Sequence, residues 1–283
     1  MKKLAGIILL LTVFFVGLLN SKHIYRAKLV VADAPVVPTL TPTLIPTPSI
    51  KVLSFEEMNK YYGPCVVAPT LMYHHIQPEV EAKTKGQGGL SISPDWLRKH
   101  LEYLRMNGYT IIDAHDLNGF FDNGLKLPNK PVIITWDDAY EDNYSFALPI
   151  IREQVAKVTL FTPTGLVTNP DYLNWEQIRE MAGSGLVYFG NHTWSHQSMK
   201  TTAEKIREEI GTADKQLVEH GLNSHKVFAY PYGSYSKLAE EELKRLGYGL
   251  AFGTKSGKIL CKGMRLDLPR VRVGNAPLSR YGI

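Results

Sequence analysis

The chain has 283 residues, 44% of them hydrophobic and 21% charged, with a formal net charge of +5 at pH 7, which bounds it to one large domain or two small ones. The charge is uneven: residues 1–50 carry Lys2, Lys3, Lys22, Arg26 and Lys28 against Asp33 alone, a net +4, leaving the rest near +1. The basic balance therefore belongs to the N-terminal region, and no basic stripe or nucleic-acid-binding signature remains to support DNA or RNA as a partner.

Met1-Lys2-Lys3 precedes an uncharged, mostly apolar run from Leu4 to Leu19. Residues 1–30 thus read as a secretory signal peptide or a membrane anchor, although the run is short beside the roughly 17–25 residues of a spanning helix. The one A-x-A-like string, Ala32-Asp33-Ala34, lies beyond the run and is followed by Pro35, which favours an uncleaved anchor. Residues 31–50 interleave Pro35, Pro38, Pro42, Pro46 and Pro48 with threonines, the composition of an extended spacer. Residues 51–283 are then expected as a single catalytic domain in an extracytoplasmic space, membrane-anchored or secreted. Cys65 and Cys261 stand near its two ends, and either a disulfide or two buried thiols fits them.

From there apolar strands alternate with amphipathic helices. Pro69 to Tyr73 reads as a strand. Ser93-Pro94 opens a helix with a capping hydroxyl and a first-turn proline; Leu97, Leu101 and Leu104 share one face and Gly108 stops it. A strand at Thr110–Ile112 and a helical turn through Leu117–Phe121 follow. The β-branched run Val132–Trp136 predicts a buried strand ending at two aspartates. A helix through Tyr144–Arg152 leads to strand Val158–Phe161, and Asn174 caps a helix to Ala182. Leu186–Phe189 is a strand ending just before His192. The helix from Thr202 turns Ile206, Ile210, Ala213 and Leu217 inward and stops at Gly221. Val227–Tyr230 is a strand, Leu238, Leu243 and Leu246 share a last helix, and Leu250–Phe252 is a strand. This alternation predicts a parallel α/β architecture with its polar strings just after the strands, the face that carries the active site in β/α barrels.

Two of those strings carry chemistry. Thr135-Trp136-Asp137-Asp138-Ala139 supplies adjacent carboxylates, and His192-Thr193-Trp194-Ser195-His196 supplies two imidazoles four residues apart. Either alone fits a helix cap or an exposed pair. Together they match an open carboxylate–imidazole–imidazole metal site with a spare carboxylate, suited to zinc or a similar divalent ion. The glutamate of the H-E-x-x-H zinc-protease motif is absent.

These strings resemble the NodB-type polysaccharide deacetylases (carbohydrate esterase family four), and most closely the extracellular branch that de-N-acetylates poly-N-acetylglucosamine. Met72-Tyr73-His74-His75-Ile76 is similar to that branch's tyrosine–histidine opening, and Thr135 to Tyr140 to its T-F-D-D-G-Y motif. Asn191 to His196 resembles its histidine motif, and Phe228-Ala229-Tyr230-Pro231-Tyr232-Gly233 its groove-forming motif. The likeness runs from about Leu71 to Val273 and implies a distorted (β/α)7 barrel. It implies Asp138, His192 and His196 as metal ligands, Asp137 as general base and His74 as proton donor, with His75 the structural alternative. A backbone N–H at Tyr232 would assist the metal at the oxyanion, and Pro231, Tyr232 and Trp194 would contact substrate. Trp136 suits either the groove or the core. The metal expected is zinc, with cobalt, nickel or iron also accommodated.

Three departures stand out. Ala139 replaces a family glycine, which costs about 1 kcal/mol if the backbone there needs a positive φ. Ala229 replaces the arginine that orients the base; Arg270 or Arg272, in Pro269-Arg270-Val271-Arg272, is the substitute, unless both are surface residues on an edge strand. The family's late leucine-x-histidine string is missing, consistent with a donor at His74. The resemblance predicts hydrolysis of N-acetyl groups on an extracellular or cell-wall polysaccharide containing N-acetylglucosamine. The alternatives are peptidoglycan, chitin or acetylated xylan as substrate, or a glycan-binding protein without turnover.

Overall fold

The structure, a computed structural model, describes residues 53–283; the hydrophobic segment of residues 1–30 and the Pro/Thr spacer of residues 31–50 lie outside the described residues. Helix α1 (Phe55–Tyr62) leads to strands β1 (Cys65–Val67), β2 (Thr70–Tyr73) and β3 (His75–Ile76), then α2 (Glu79–Thr84) and β4 (Ser91–Ile92). Next come α3 (Pro94–Met106), β5 (Thr110–Ile112), α4 (Ala114–Asn123) and β6 (Pro131–Asp137). A π-helical turn at Asn143–Ala147 runs into α5 (Leu148–Gln154), followed by β7 (Val158–Thr162), α6 (Trp175–Gly183), β8 (Val187–Asn191) and α7 (Ala203–Glu219). The chain continues through β9 (Val227–Ala229), α8 (Lys237–Arg245), β10 (Leu250–Phe252), β11 (Ile259–Cys261) and β12 (Val271–Arg272).

Local chemistry sets the helix starts. Ser93 Oγ accepts the Trp96 N–H ahead of Pro94, Asn174 Oδ1 accepts those of Glu176 and Gln177, and Thr202 Oγ1 accepts that of Lys205. Their apolar stripes face inward: Leu97, Leu101 and Leu104 on α3, and Ile206, Ile210, Ala213 and Leu217 on α7, are buried.

The strands form one curled sheet in the order β10-β9-β8-β7-β6-β2-β12, with β5 also paired to β6 and every ladder parallel. Every residue of β6 is buried, as expected for a strand covered on both faces. The curl draws together where Leu268 donates to Ala251 O at 2.9 Å and Gly253 donates to Leu268 O at 2.9 Å. Its interior holds Ile133, Phe161, Ala229, Phe252 and Leu268, and Leu117 and Phe121 of α4 pack into the same cluster. This is the half-barrel form of the predicted (β/α)7 architecture.

Three short features lay below sequence resolution. Helices α1 and α2 and the two-residue pair β3–β4 have too few residues to show a period. Strands β1 and β11 pair antiparallel with Cys65 opposite Cys261. Those cysteines form a disulfide across 196 residues of sequence, which settles the alternative left open above. Among the described residues no helix is long and apolar enough to cross a membrane.

Candidate active site

Two strand ends build the site. Strand β6 carries Asp137 as its last residue, after which Asp138 and Ala139 take left-handed backbone angles (φ 78° and 57°). The glycine-to-alanine departure at Ala139 therefore does fall where a positive φ is required, and the alanine carries that strain. Strand β8 ends at Asn191 and delivers His192; Thr193 and His196 are again left-handed (φ 68° and 58°). Asn191 holds this turn by accepting the Thr193 N–H at 2.7 Å while donating to Tyr248 Oη at 2.6 Å and Ile210 O at 3.2 Å.

A second residue holds the same turn. Glu209 on α7 is fully buried and accepts the N–H groups of Trp194 (3.1 Å) and Ser195 (2.8 Å) and the Ser195 hydroxyl (2.6 Å). Lys205 balances its charge at 3.3 Å. The sequence signal of Glu209 is its place, a carboxylate on the inward stripe between Ile206 and Ile210, and such a group is buried only when it has partners.

The turns bring Asp138, His192 and His196 together, their ligand atoms all within 4.8 Å of one another. Asp138 Oδ1 is buried, has no directed hydrogen-bond donor, and faces His192 Nε2 at 3.3 Å and His196 Nε2 at 3.0 Å. His192 donates Nδ1–H to Ala229 O at 2.7 Å, and His196 Nδ1 pairs with Tyr232 Oη at 3.1 Å. With Nδ1 of each ring engaged elsewhere, both Nε2 atoms turn toward the Asp138 carboxylate, so that neutral rings would present two nitrogens and one oxygen to a cation placed between them. One oxygen and two imidazoles suit a zinc-like ion with coordination positions left open. The residues fit a divalent metal.

Asp137 points elsewhere. Its two oxygens accept from Arg270 Nη1 and Nη2, each at 2.7 Å, and Arg270 also donates to Gly253 O and Thr135 Oγ1. Arg270 is entirely buried, so the surface reading fails for it; Arg272 is exposed and donates to Gly89 O. Burial acts to raise the Asp137 carboxyl, yet Arg270 and the neighbouring imidazoles hold it below its ordinary value, which keeps it ionised. His74 Nε2 lies 4.0 Å from Asp137 Oδ2. Burial pushes the His74 imidazole down, against the pull of Asp137 and Asp138.

The remaining predicted residues divide between rim and core. Tyr232 is 69% exposed with a left-handed backbone (φ 60°), directly after buried Pro231. Trp194 is half-buried against Gly165, where an added Cβ would stand 2.5 Å from its Nε1. Trp136 is fully buried, which decides its two readings in favour of the core. His75 is buried, bonded through Nδ1 to Asp142 and stacked on Tyr140 with ring centroids 3.5 Å apart, so its ring is engaged in packing. No local pattern marks Asp142 and Asn143 in the sequence, because their contacts lie with residues nearly seventy positions away.

A curled parallel β/α sheet thus presents at its strand ends an Asp-His-His set that could hold a divalent ion and, beside it, a buried, arginine-paired aspartate. The polysaccharide deacetylase family model matches residues 124–251. The chain is 30% identical over 244 residues to the poly-β-1,6-N-acetyl-D-glucosamine N-deacetylase of Escherichia coli strain K12, covering 70% of this chain and 36% of that protein. It therefore spans little more than a third of that relative's length. Among solved structures, the Streptococcus pyogenes deacetylase PplD, in complex with acetate, superposes with a TM-score of 0.67 at 27% identity, covering 74% of this chain and 92% of that one. IcaB from Ammonifex degensii shares the fold with a TM-score of 0.66 at 24% identity, covering 76% and 94%. Residues 124–251 thus match a polysaccharide deacetylase domain, and the chain is similar in sequence and fold to deacetylases of the NodB type whose motifs it resembles.

Proposed function

We propose that this protein is a metal-dependent N-deacetylase of an extracytoplasmic polysaccharide containing N-acetylglucosamine. The observation that carries the reading is the convergence of three metal-type ligands with an ionised Asp137, the neighbour of Asp138, and with His74 at 4.0 Å from Asp137. The curated relative named as a poly-N-acetylglucosamine deacetylase points to that polymer. Asp138, His192 and His196 would hold the ion, zinc foremost. A divalent ion there supplies Lewis-acid stabilisation of charge on the amide oxygen and makes water more acidic.

The chain's own groups do the rest. Asp137 takes a proton from water as its oxygen attacks the acetamide carbon, and Arg270 keeps the carboxylate ionised and oriented for that task. The Tyr232 N–H is assigned to the oxyanion. His74 delivers a proton to the sugar nitrogen as the C–N bond breaks, leaving acetate and a free amine. Burial disfavours the charged His74 imidazole, so any proton the ring takes up beside Asp137 is readily passed on. Trp194 and Tyr232 offer aromatic surface on the rim for sugar faces.

The Cys65–Cys261 disulfide supports an oxidising, extracytoplasmic location, in line with residues 1–30 as signal or anchor and residues 31–50 as spacer ahead of the 51–283 domain. The deciding experiment follows acetate release from β-1,6-linked N-acetylglucosamine oligomers by the full chain, stripped of metal and reloaded with zinc or cobalt. Metal-restored release is expected. Silence with metal bound would sink the assignment and favour a glycan-binding protein; release only from chitin, peptidoglycan or xylan substrates would change the polymer.

A further inference from the structure

His74 occupies an unusual place in the backbone. Strand β2 ends at Tyr73 in the curled sheet, and β3 begins at His75 in a separate two-stranded sheet with β4. His74 is the one residue between them and belongs to neither ladder. A residue at such a junction has no sheet register to aim its side chain, so its orientation must come from elsewhere.

It comes from the start of the π-helical turn. Asn143 is fully buried and donates Nδ2–H to the His74 carbonyl at 2.9 Å. Asp142 Oδ1 accepts the Ile76 N–H at 2.9 Å and is itself braced by Asn143 Nδ2 at 3.0 Å. Asp142 Oδ2 takes the Nδ1–H of His75 at 2.5 Å, while the His75 ring lies flat on Tyr140 with 15° between planes. Carbonyl 74, ring 75 and amide 76 are thus all held by two adjacent side chains. Those side chains sit four and five residues beyond Asp138 on the connection that leaves β6. Widened helical turns of this kind recur at functional sites, where they place a side chain that regular α-geometry would turn away.

We infer that Asp142 and Asn143 form a positioning clamp that sets the His74 imidazole against Asp137, with His75 and Tyr140 as its packed base. The clamp ties the proton donor to the chain segment that carries the base and a metal ligand, so the two proton-handling groups move as one body. It touches neither substrate nor metal and acts only through His74. The inference rests on the reading of His74 as proton donor.

Leaving-group dependence tests it. An amine leaves only when protonated, whereas 4-nitrophenolate leaves unaided, so a misaimed donor slows amide cleavage and spares the ester. The full-length zinc-loaded protein is assayed on a β-1,6-linked N-acetylglucosamine oligomer and on 4-nitrophenyl acetate, with metal content measured alongside. His74→Ala is the reference, and Asp142→Asn and Asn143→Ala are the test variants. Each test variant should lose about tenfold or more in kcat on the oligomer, consistent with about an ångström of misplacement. KM, metal content and ester hydrolysis should stay within about twofold of the unaltered protein. If His74→Ala is selective for the amide but the isosteric Asp142→Asn lowers both reactions equally or neither, the clamp is overturned and the donor assignment stands. If His74→Ala itself shows no selectivity, the donor reading fails and takes the clamp with it.

Discussion

The two halves of the site are built on different principles. The ligand half hangs from barrel strands β6 and β8, which flank β7, and its turn at residues 192–196 is gripped by side chains from behind, Asn191 and Glu209. The half proposed to carry the proton donor hangs on a single residue, His74, between two sheets and is held by the side chains of a different connection. A metal site tolerates little displacement in three ligands at once, and a rigid sheet supplies that precision. A proton donor has to be aimed at one point, and two hydrogen-bonded neighbours are enough.

That contrast can be broken from the ligand side first. Asp137→Asn should keep metal and lose about 10²–10⁴-fold in acetate release, whereas His192→Ala should lose metal and activity together. Metal analysis beside initial rates separates them, and a near-normal rate in Asp137→Asn would remove the aspartate from its role. Glu209→Ala attacks the turn from behind. It leaves the part-buried amides of Trp194 and Ser195 without this acceptor, at about 1 kcal/mol each. A lower melting temperature and metal affinity weakened about 10–100-fold are expected; unchanged affinity would mean that the turn holds its own shape.

The donor side is sharpened by pH. Tyr73, one residue before His74, donates its hydroxyl to His100 Nδ1 at 3.0 Å, and His100 Nε2–H donates to Ala276 O at 2.8 Å. Burial pushes the His100 imidazole below its ordinary value, only partly offset by the bond to Ala276. The unfolded ring takes up a proton near pH 6.5 while the folded ring resists it. The neutral ring's advantage is therefore whole above that pH and shrinks as pH falls toward the lower folded value. Unfolding free energy should fall by up to about 1.4 kcal/mol per pH unit in that window from this group. His100→Gln should flatten the slope; denaturant titrations between pH 7.5 and 5.5 that give parallel curves for the two proteins would exclude His100 as its source.

Much of this was legible in the chain because its signals are local. The capped helices at Ser93, Asn174 and Thr202 and the strands at Thr110–Ile112 and Leu250–Phe252 follow from residues within a few positions of one another. Asp137, Asp138, His192 and His196 were visible as short strings after strands. The pair Cys65–Cys261, the choice of Arg270 over Arg272, and the burial of Trp136 were each open between two readings. Each turned on which distant element lay opposite.

By itself, then, the sequence determined the alternation of strands and helices and the chemical kinds of group at the strand ends, since periodicity and capping act over one or two turns of chain. Only the tertiary structure decided that Arg270, 133 residues away, neutralises Asp137, that Glu209 pins the histidine turn, and that Asp142 and Asn143 reach back across nearly seventy residues to hold His74. Burial makes those pairings obligatory. A charge or amide removed from water must find a partner, and the curl of the sheet, which no local pattern encodes, determines which partner is near.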